Sequence, residues 1–191
     1  MNIAVAEESP ANLEDYAQIP ISFVVREIFL VSVIENAPGG FSLLKQTVQS
    51  PYVKDYDAVE NPQQWSSSFD LSNWGFLVAR SDGLRIGGAA VAFNTPGMEM
   101  LENRRDIAVL WDIRVSQHMR NSGVGTALFK AAEVWSIEKG CRQLKVETQN
   151  INVPACRFYA EQGCVLRAIY PRAYLRFPDE VQLLWYKDLG N

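Results

Sequence analysis

Hydrophobic positions along the chain come in short blocks, and the spacing inside each block predicts an element. Residues 1–18 are polar and acidic with scattered apolar positions, and read as a lead-in open to fraying. Residues 21–34 (ISFVVREIFLVSVI) are dense in β-branched and aromatic side chains and predict a strand. Pro38, Gly39 and Gly40 break it. Residues 41–48 predict a helix, because Phe41, Leu44 and Val48 fall on one helical face. Residues 51–68 are polar, carry two prolines, and read as loop with short helical pieces.

The second half is more regular. Residues 75–80 and 86–93 predict a hairpin around Asp82-Gly83. Residues 94–105 read as loop and 107–115 as a strong strand. Residues 123–139 predict an amphipathic helix, with Val124, Leu128, Ala131, Ala132 and Trp135 on one face and Gly140 as its stop. A strand over 144–148 follows. A helix over 154–162 then has Pro154 in its first turn and Gly163 at its end. Residues 165–170 and 181–187 predict two closing strands. The order is a mixed α/β layout around one central sheet.

Composition narrows the class. The 191 residues fit one domain over 1–191, with 75–191 as its motif-bearing core. A net charge of -4 argues against a general nucleic-acid binder and suits a small cationic partner. Three cysteines and one histidine are too few for a metal site at sensible spacing, so no metal is expected. The first twelve residues lack the basic start and apolar run of a signal peptide. The apolar run 19–34 is interrupted by Arg26 and Glu27, so no membrane partner is expected and the expected compartment is the cytoplasm.

One candidate for chemistry lies at the start of the long helix. Arg120-Asn121-Ser122-Gly123-Val124-Gly125 joins a strand to a helix. Unbonded N–H groups and the helix dipole favour an anion there. Gly123 and Gly125 let a phosphate approach the backbone, and Arg120 adds charge. Two glycines opening a helix can equally serve tight packing. A dinucleotide-binding turn would want a third glycine where Leu128 stands, and no Walker loop is present.

The second motif is Asn152-Val153-Pro154-Ala155-Cys156-Arg157-Phe158-Tyr159, running on to Gly163. In this order, with a helix and a strand between them, the two motifs resemble the GNAT N-acetyltransferase superfamily. Pro51-Tyr52-Val53-Lys54-Asp55-Tyr56, Asp112 to Val115, and Val146 to Gln149 are similar to streptothricin acetyltransferases. Cys164 departs from the phenylalanine usual after Gly163.

The resemblance implies a GNAT fold: a mixed, mostly antiparallel sheet flanked by helices and splayed between its two central strands. It implies acetyl-CoA as co-substrate. Ile113, Arg114 and Val115 would line the pantetheine arm, with the Ile113 N–H on the thioester carbonyl. The N–H groups of Asn121, Ser122, Gly123, Val124, Gly125 and Thr126 would hold the pyrophosphate beside Arg120. Asn152 and Ala155 would meet the pantetheine, and Tyr159 would protonate the leaving thiolate. Asp112 or Glu147 would take the amine's proton. Each acid can instead be a strand-end salt bridge, for instance with Arg114 or Lys145.

His118 reads as a surface residue, and Trp65, Phe69, Trp74 and Phe76 as core or as a wall of the acceptor pocket. Asp55, Asp57 and Glu60 read as solvated loop charge or as attractors of a cationic acceptor.

The function implied is direct acetyl transfer to a primary amine of a small cationic molecule, with a streptothricin-like antibiotic as the acceptor class. A protein or peptide amine acetyltransferase and a non-catalytic acyl-CoA-binding module are the alternatives. The resemblance also allows a homodimer through the C-terminal strands.

Overall fold

The side chains that decide where each strand and helix packs are small ones on the strands and large ones on the helices. In a computed structural model, residues 2–36 and 38–190 are described. Met1, first residue of the expected lead-in, lies outside the described residues, as do Ala37 and Asn191 at the end of the expected domain. The chain divides into two compact units: residues 1–22, 55–145 and 188–191, and residues 23–54 and 146–187.

The first unit holds strands β1 (Ala4–Glu8), β4 (Gly75–Ser81), β5 (Leu84–Phe93) and β6 (Ile107–Val115), hydrogen-bonded in that order. All three pairings are antiparallel. The lead-in is therefore structured: β1 pairs with β4, and a short helix α1 (Leu13–Ala17) follows. The β4–β5 hairpin turns on Asp82 and Gly83 as expected. Their φ values of 50° and 80° suit a tight turn that matches strand twist.

Helix α3 (Val124–Glu138) packs on β4, β5 and β6 through Val124, Leu128, Phe129, Ala132 and Trp135, all buried. Its closeness depends on missing side chains. A Cβ on Gly75 would collide with the Trp135 ring, and one on Gly87 would stand 2.9 Å from both Leu128 and Val124. On Gly88 a Cβ would lie 2.6 Å from Tyr16 of α1. Successive strand residues face opposite sides, so Gly87 seats α3 and Gly88 seats α1. In β6 the register slips at one residue. Ala90 pairs with Asp112 and Val91 with Leu110, which leaves Trp111 as a bulge.

The second unit contains a long hairpin, β2 (Phe23–Val33) and β3 (Phe41–Lys54). The strand expected over 21–34 is present. The helix expected over 41–48 is not: these residues belong to β3. Leu44 pairs with Leu30 and Phe41 with Val33, so cross-strand partners replaced the helical face. Residues 51–54, expected as loop, also belong to β3. Pro51 is tolerated because the register jumps there. Val25 pairs with Tyr52 and Glu27 with Thr47, so the stretch around Pro51 makes no regular ladder bonds. Beyond it, α2 (Trp65–Ser68) is one of the expected short helical pieces and lies in the first unit.

The second unit is completed by most of strand β7 (Gln143–Gln149), helix α4 (Val153–Glu161), and strands β8 (Val165–Tyr170) and β9 (Gln182–Asp188). Strands β8 and β9 pair antiparallel. The fold class is the expected one, mixed α/β with a mostly antiparallel sheet flanked by helices. No helix among the described residues is long and apolar enough to cross a membrane.

Strand β1 is held partly by Glu8. Burial alone would raise its carboxyl, but bonds from Arg80 (2.7 Å) and Arg85 (2.6 Å) outweigh that and hold it below the usual value of 4.5. A depressed folded-state value stabilises the fold above the usual carboxylate range, and the gain is lost as pH falls through the folded value. Replacing Glu8 with Gln is expected to cost about 0.5–1 kcal/mol at neutral pH, as for solvent-screened pairs. Urea melts at several pH values check this: the gap between variant and wild type should close in acid.

Candidate functional site

In the first unit the candidate residues follow one another from β6 into α3. Arg114 points inward, with its side chain 1% exposed. Its Nε and Nη2 bond the two oxygens of Asp112 at 2.9 and 2.7 Å. Nη2 also reaches Asp57 at 3.1 Å, and Nη1 reaches the Ile19 carbonyl at 2.9 Å. The Tyr16 hydroxyl donates to Asp112 at 2.6 Å. Burial alone would lower the guanidinium's pKa, but Asp112, Tyr16 and Asp57 more than reverse this. Burial and the Asp112 charge push the Tyr16 phenol well up, so it stays a donor.

One of the two readings of Asp112 is visible here. The salt bridge with Arg114 is present, and three donor groups already occupy the carboxylate. The side chain of Arg114 is likewise committed, so only its backbone can meet a cofactor. Asp57, read as loop charge or as an attractor, is here an ion-pair partner of Arg114. Tyr16 was not singled out from the sequence. Its clue is a lone aromatic in a polar lead-in, which gains meaning only once Gly88 is known to face it.

Beyond β6, the Ser116 N–H bonds the Ile86 carbonyl at 2.9 Å, and a 3-10 turn covers Gln117–Met119. Arg120 braces the connection, donating to the Ser22 carbonyl at 2.8 Å and weakly to Val115 at 3.4 Å. Asn121 and Gly123 take left-handed φ values of 62° and 90°. A Cβ on Gly123 would meet nothing within 4 Å, so glycine is needed there for backbone conformation rather than room. Gly123 is the N-cap of α3. Among the described residues no side chain caps this helix, and its first turn holds no acid. Asn121, Ser122 and Gly123 are exposed, and Gly125 and Thr126 are half-buried. An exposed helix start with uncapped N–H groups and no anion of its own is a seat for a phosphate.

In the second unit, Asn152 caps α4: its side-chain oxygen accepts from the Ala155 N–H at 3.2 Å. Tyr159 is buried, its ring edge-on to Phe158 at 5.2 Å. Glu147 on β7 accepts from Tyr174 at 2.6 Å and, weakly, Gln149 at 3.4 Å on one oxygen. Gln182 donates to the other at 2.6 Å. Lys145, weighed as its salt-bridge partner, pairs with Glu102 instead, at 2.7 Å. Neutral donors thus hold Glu147, in contrast to Asp112. Tyr174 and Gln182 gave no signal in the sequence, because their meaning depends on strand neighbours.

His118 is exposed, as expected. Trp65, Trp74 and Phe76 are buried core, and Phe69 is half-buried with its ring 5.2 Å from Trp111. The buried Trp65 Nε1–H has no hydrogen-bond partner among the described residues. Among the same residues no cluster of three metal-binding side chains occurs.

Comparison with known proteins places this arrangement. The model of the acetyltransferase (GNAT) family matches residues 42–164. The streptothricin acetyltransferase of Escherichia coli is 30% identical over 190 residues, covering 97% of this chain and 95% of that protein. Streptothricin acetyltransferase A of Bacillus subtilis (strain 168) is 29% identical over 177 residues, covering 92% and 94%. Among solved structures, nourseothricin acetyltransferase superposes with a TM-score of 0.78 at 23% identity, over all of both chains. A candidate streptothricin acetyltransferase of Bacillus anthracis str. Ames, solved with acetyl coenzyme A, gives 0.76 at 25% identity over 100% of this chain and 99% of that one.

Burial raises both Cys141 and Cys156 to about 11. Near pH 7.5 these thiols are therefore protonated and poor nucleophiles. Brief iodoacetamide treatment of the native protein should leave both unmodified, while the same treatment in urea modifies them. Peptide mass spectrometry checks the difference.

Proposed function

The chain belongs to the acetyltransferase (GNAT) family, and on that premise we propose which amine it acetylates and which residues do the work. It is an acetyl-CoA-dependent acetyltransferase. The proposed acceptor is a primary amine of a small cationic molecule of the streptothricin class. Support comes from relatives of that description that match nearly the whole chain. The net charge of -4 is in keeping with a cationic acceptor.

The observation that carries the cofactor half is the uncapped start of α3 after a left-handed turn. In the proposed reading the N–H groups from Asn121 to Thr126 hold the pyrophosphate. Arg120 braces that turn and adds nearby charge. The β6 backbone at Ile113, Arg114 and Val115 pairs with the pantetheine arm, and the Ile113 N–H polarises the thioester carbonyl. On α4, Asn152 uses its oxygen as helix cap, and its amide nitrogen is the donor proposed for pantetheine. Ala155 and Tyr159 meet the cofactor on the same helix.

The chemistry is direct. A carboxylate removes a proton from the acceptor ammonium, and the free amine attacks the thioester carbon. The C–S bond breaks as the tetrahedral intermediate collapses, and Tyr159 gives its proton to the thiolate. Glu147 suits the base role better than Asp112, since Asp112 is committed to Arg114 and Tyr16. Asp112 is then read as a residue that sets the shape of β6. Cytoplasmic residence, a homodimer and one domain over 1–191 belong to the same reading and rest on the family resemblance alone.

A thiol-release assay with acetyl-CoA tests this against streptothricin, polyamines and lysine peptides. Streptothricin should be turned over best. Tyr159→Phe should lower kcat by about 10²-fold or more while CoA affinity, read by calorimetry, stays within about twofold. Tight CoA binding with no thiol release from any amine would instead identify a non-catalytic module.

A further inference from the structure

We infer that Tyr174 is a positioning residue that fixes the Glu147 carboxylate as the receiver of the acceptor's ammonium group, an inference that rests on the acetyl-transfer reading above. Glu147 is held from both sides: Tyr174 donates to one oxygen at 2.6 Å and Gln182 to the other at 2.6 Å. Gln149 donates to the Tyr174 hydroxyl oxygen at 2.9 Å, which strengthens the phenol as a donor. All of these groups lie in the second unit.

Two features separate this cluster from an ordinary structural carboxylate. Its donors are neutral, so they fix the orientation of Glu147 without cancelling its charge. Asp112 and Glu180, by contrast, each hold a cation at 2.7 and 2.5 Å. A half-buried carboxylate with its charge uncompensated favours an incoming cation. A primary ammonium supplies that charge together with N–H donors for lone pairs the two short bonds leave over.

The second feature is that the segment bearing Tyr174 is anchored. Tyr174 lies in the connection between β8 and β9. The buried Asn150 stitches its end in place, bonding the Val181 N–H at 2.8 Å and donating to the Phe29 carbonyl at 2.9 Å. Lys54 pairs with Glu180 at 2.5 Å and sits 3.6 Å from the centre of the Phe177 ring. Such a tethered connection presents the phenol in one place, which a positioning role requires.

The step is a proton transfer. An N–H bond of the ammonium breaks, an O–H bond forms on Glu147, and the amine keeps the electron pair with which it attacks the thioester. Glu147 then returns its proton to solvent. Tyr174 touches neither the amine nor the thioester; its contact is with the Glu147 carboxylate. It holds the receiving oxygen in line and keeps the carboxylate from rotating toward water.

A double-mutant cycle tests this with streptothricin and putrescine as amines. Tyr174→Phe should lower kcat/KM for the amine on the order of tenfold, with KM for acetyl-CoA within about twofold. In a Glu147→Gln background the same change should have almost no further effect. Gln182→Met, which removes the donor on the other oxygen, should behave likewise and covers the case in which Tyr174→Phe fails to fold. Equal losses from Tyr174→Phe in both backgrounds, or a loss that falls on KM for acetyl-CoA, would mean a merely structural tyrosine. An active wild type with unaffected Tyr174→Phe and Gln182→Met overturns this inference alone. A wild type that releases no thiol with any amine overturns the acetyl-transfer reading and this inference with it.

Discussion

One buried guanidinium organises the first unit. Arg114 cannot lose its charge, and its side chain has almost no access to water. Such a charge is tolerated only when it is fully paired, and removing one partner of a buried pair typically costs about 3–5 kcal/mol. Asp112, Asp57 and the Ile19 carbonyl supply the pairing. These partners come from β6 itself, from the segment after residue 54, and from the residue that follows the lead-in. The guanidinium therefore ties three remote parts of the chain around one strand. Two carboxylates on one cation leave a net charge of -1, and Tyr16 shares the load by donating to Asp112.

The consequence reaches the cofactor side. With its charged side chain turned inward, Arg114 offers a ligand only its backbone. The brace from Arg120 to Ser22 then fixes the chain as it leaves β6, and left-handed residues at Asn121 and Gly123 turn it into α3. Gly87 lets that helix sit close on β5. A run of small structural necessities thus ends in a set of N–H groups that no side chain among the described residues caps. In the proposed reading main-chain atoms bind the phosphates there, while the side chains of Arg120 and Arg114 act as struts.

That division explains how much the sequence reveals. The hairpin at Asp82-Gly83, β6, α3 and α4 are all legible, because turn chemistry, helical spacing and terminal glycines agree there. Residues 41–48 mislead because Phe41, Leu44 and Val48 satisfy a helical spacing, while the strand partner that decides the matter lies before a turn and cannot be seen locally. The structured lead-in is hidden for the same reason, since β1 is specified by β4 some seventy residues later. The motifs at Arg120 and Asn152 are legible as chemistry. The states of Asp112 and Glu147 are not: one acid is paired with a cation two residues away, and the other is held by neutral donors up to 35 residues away. Spacing alone treats them alike.

The central claim is that backbone amides at the β6–α3 turn, rather than charged side chains, seat the cofactor's phosphates. Amide chemical shifts in a ¹⁵N-labelled sample titrated with acetyl-CoA test it most directly. The account predicts that the largest shifts fall on residues 121–126, and that Arg120→Gln weakens the affinity while the same amides still move. Shifts confined to other segments, or an Arg120→Gln variant that no longer perturbs these amides at saturating acetyl-CoA, would contradict it.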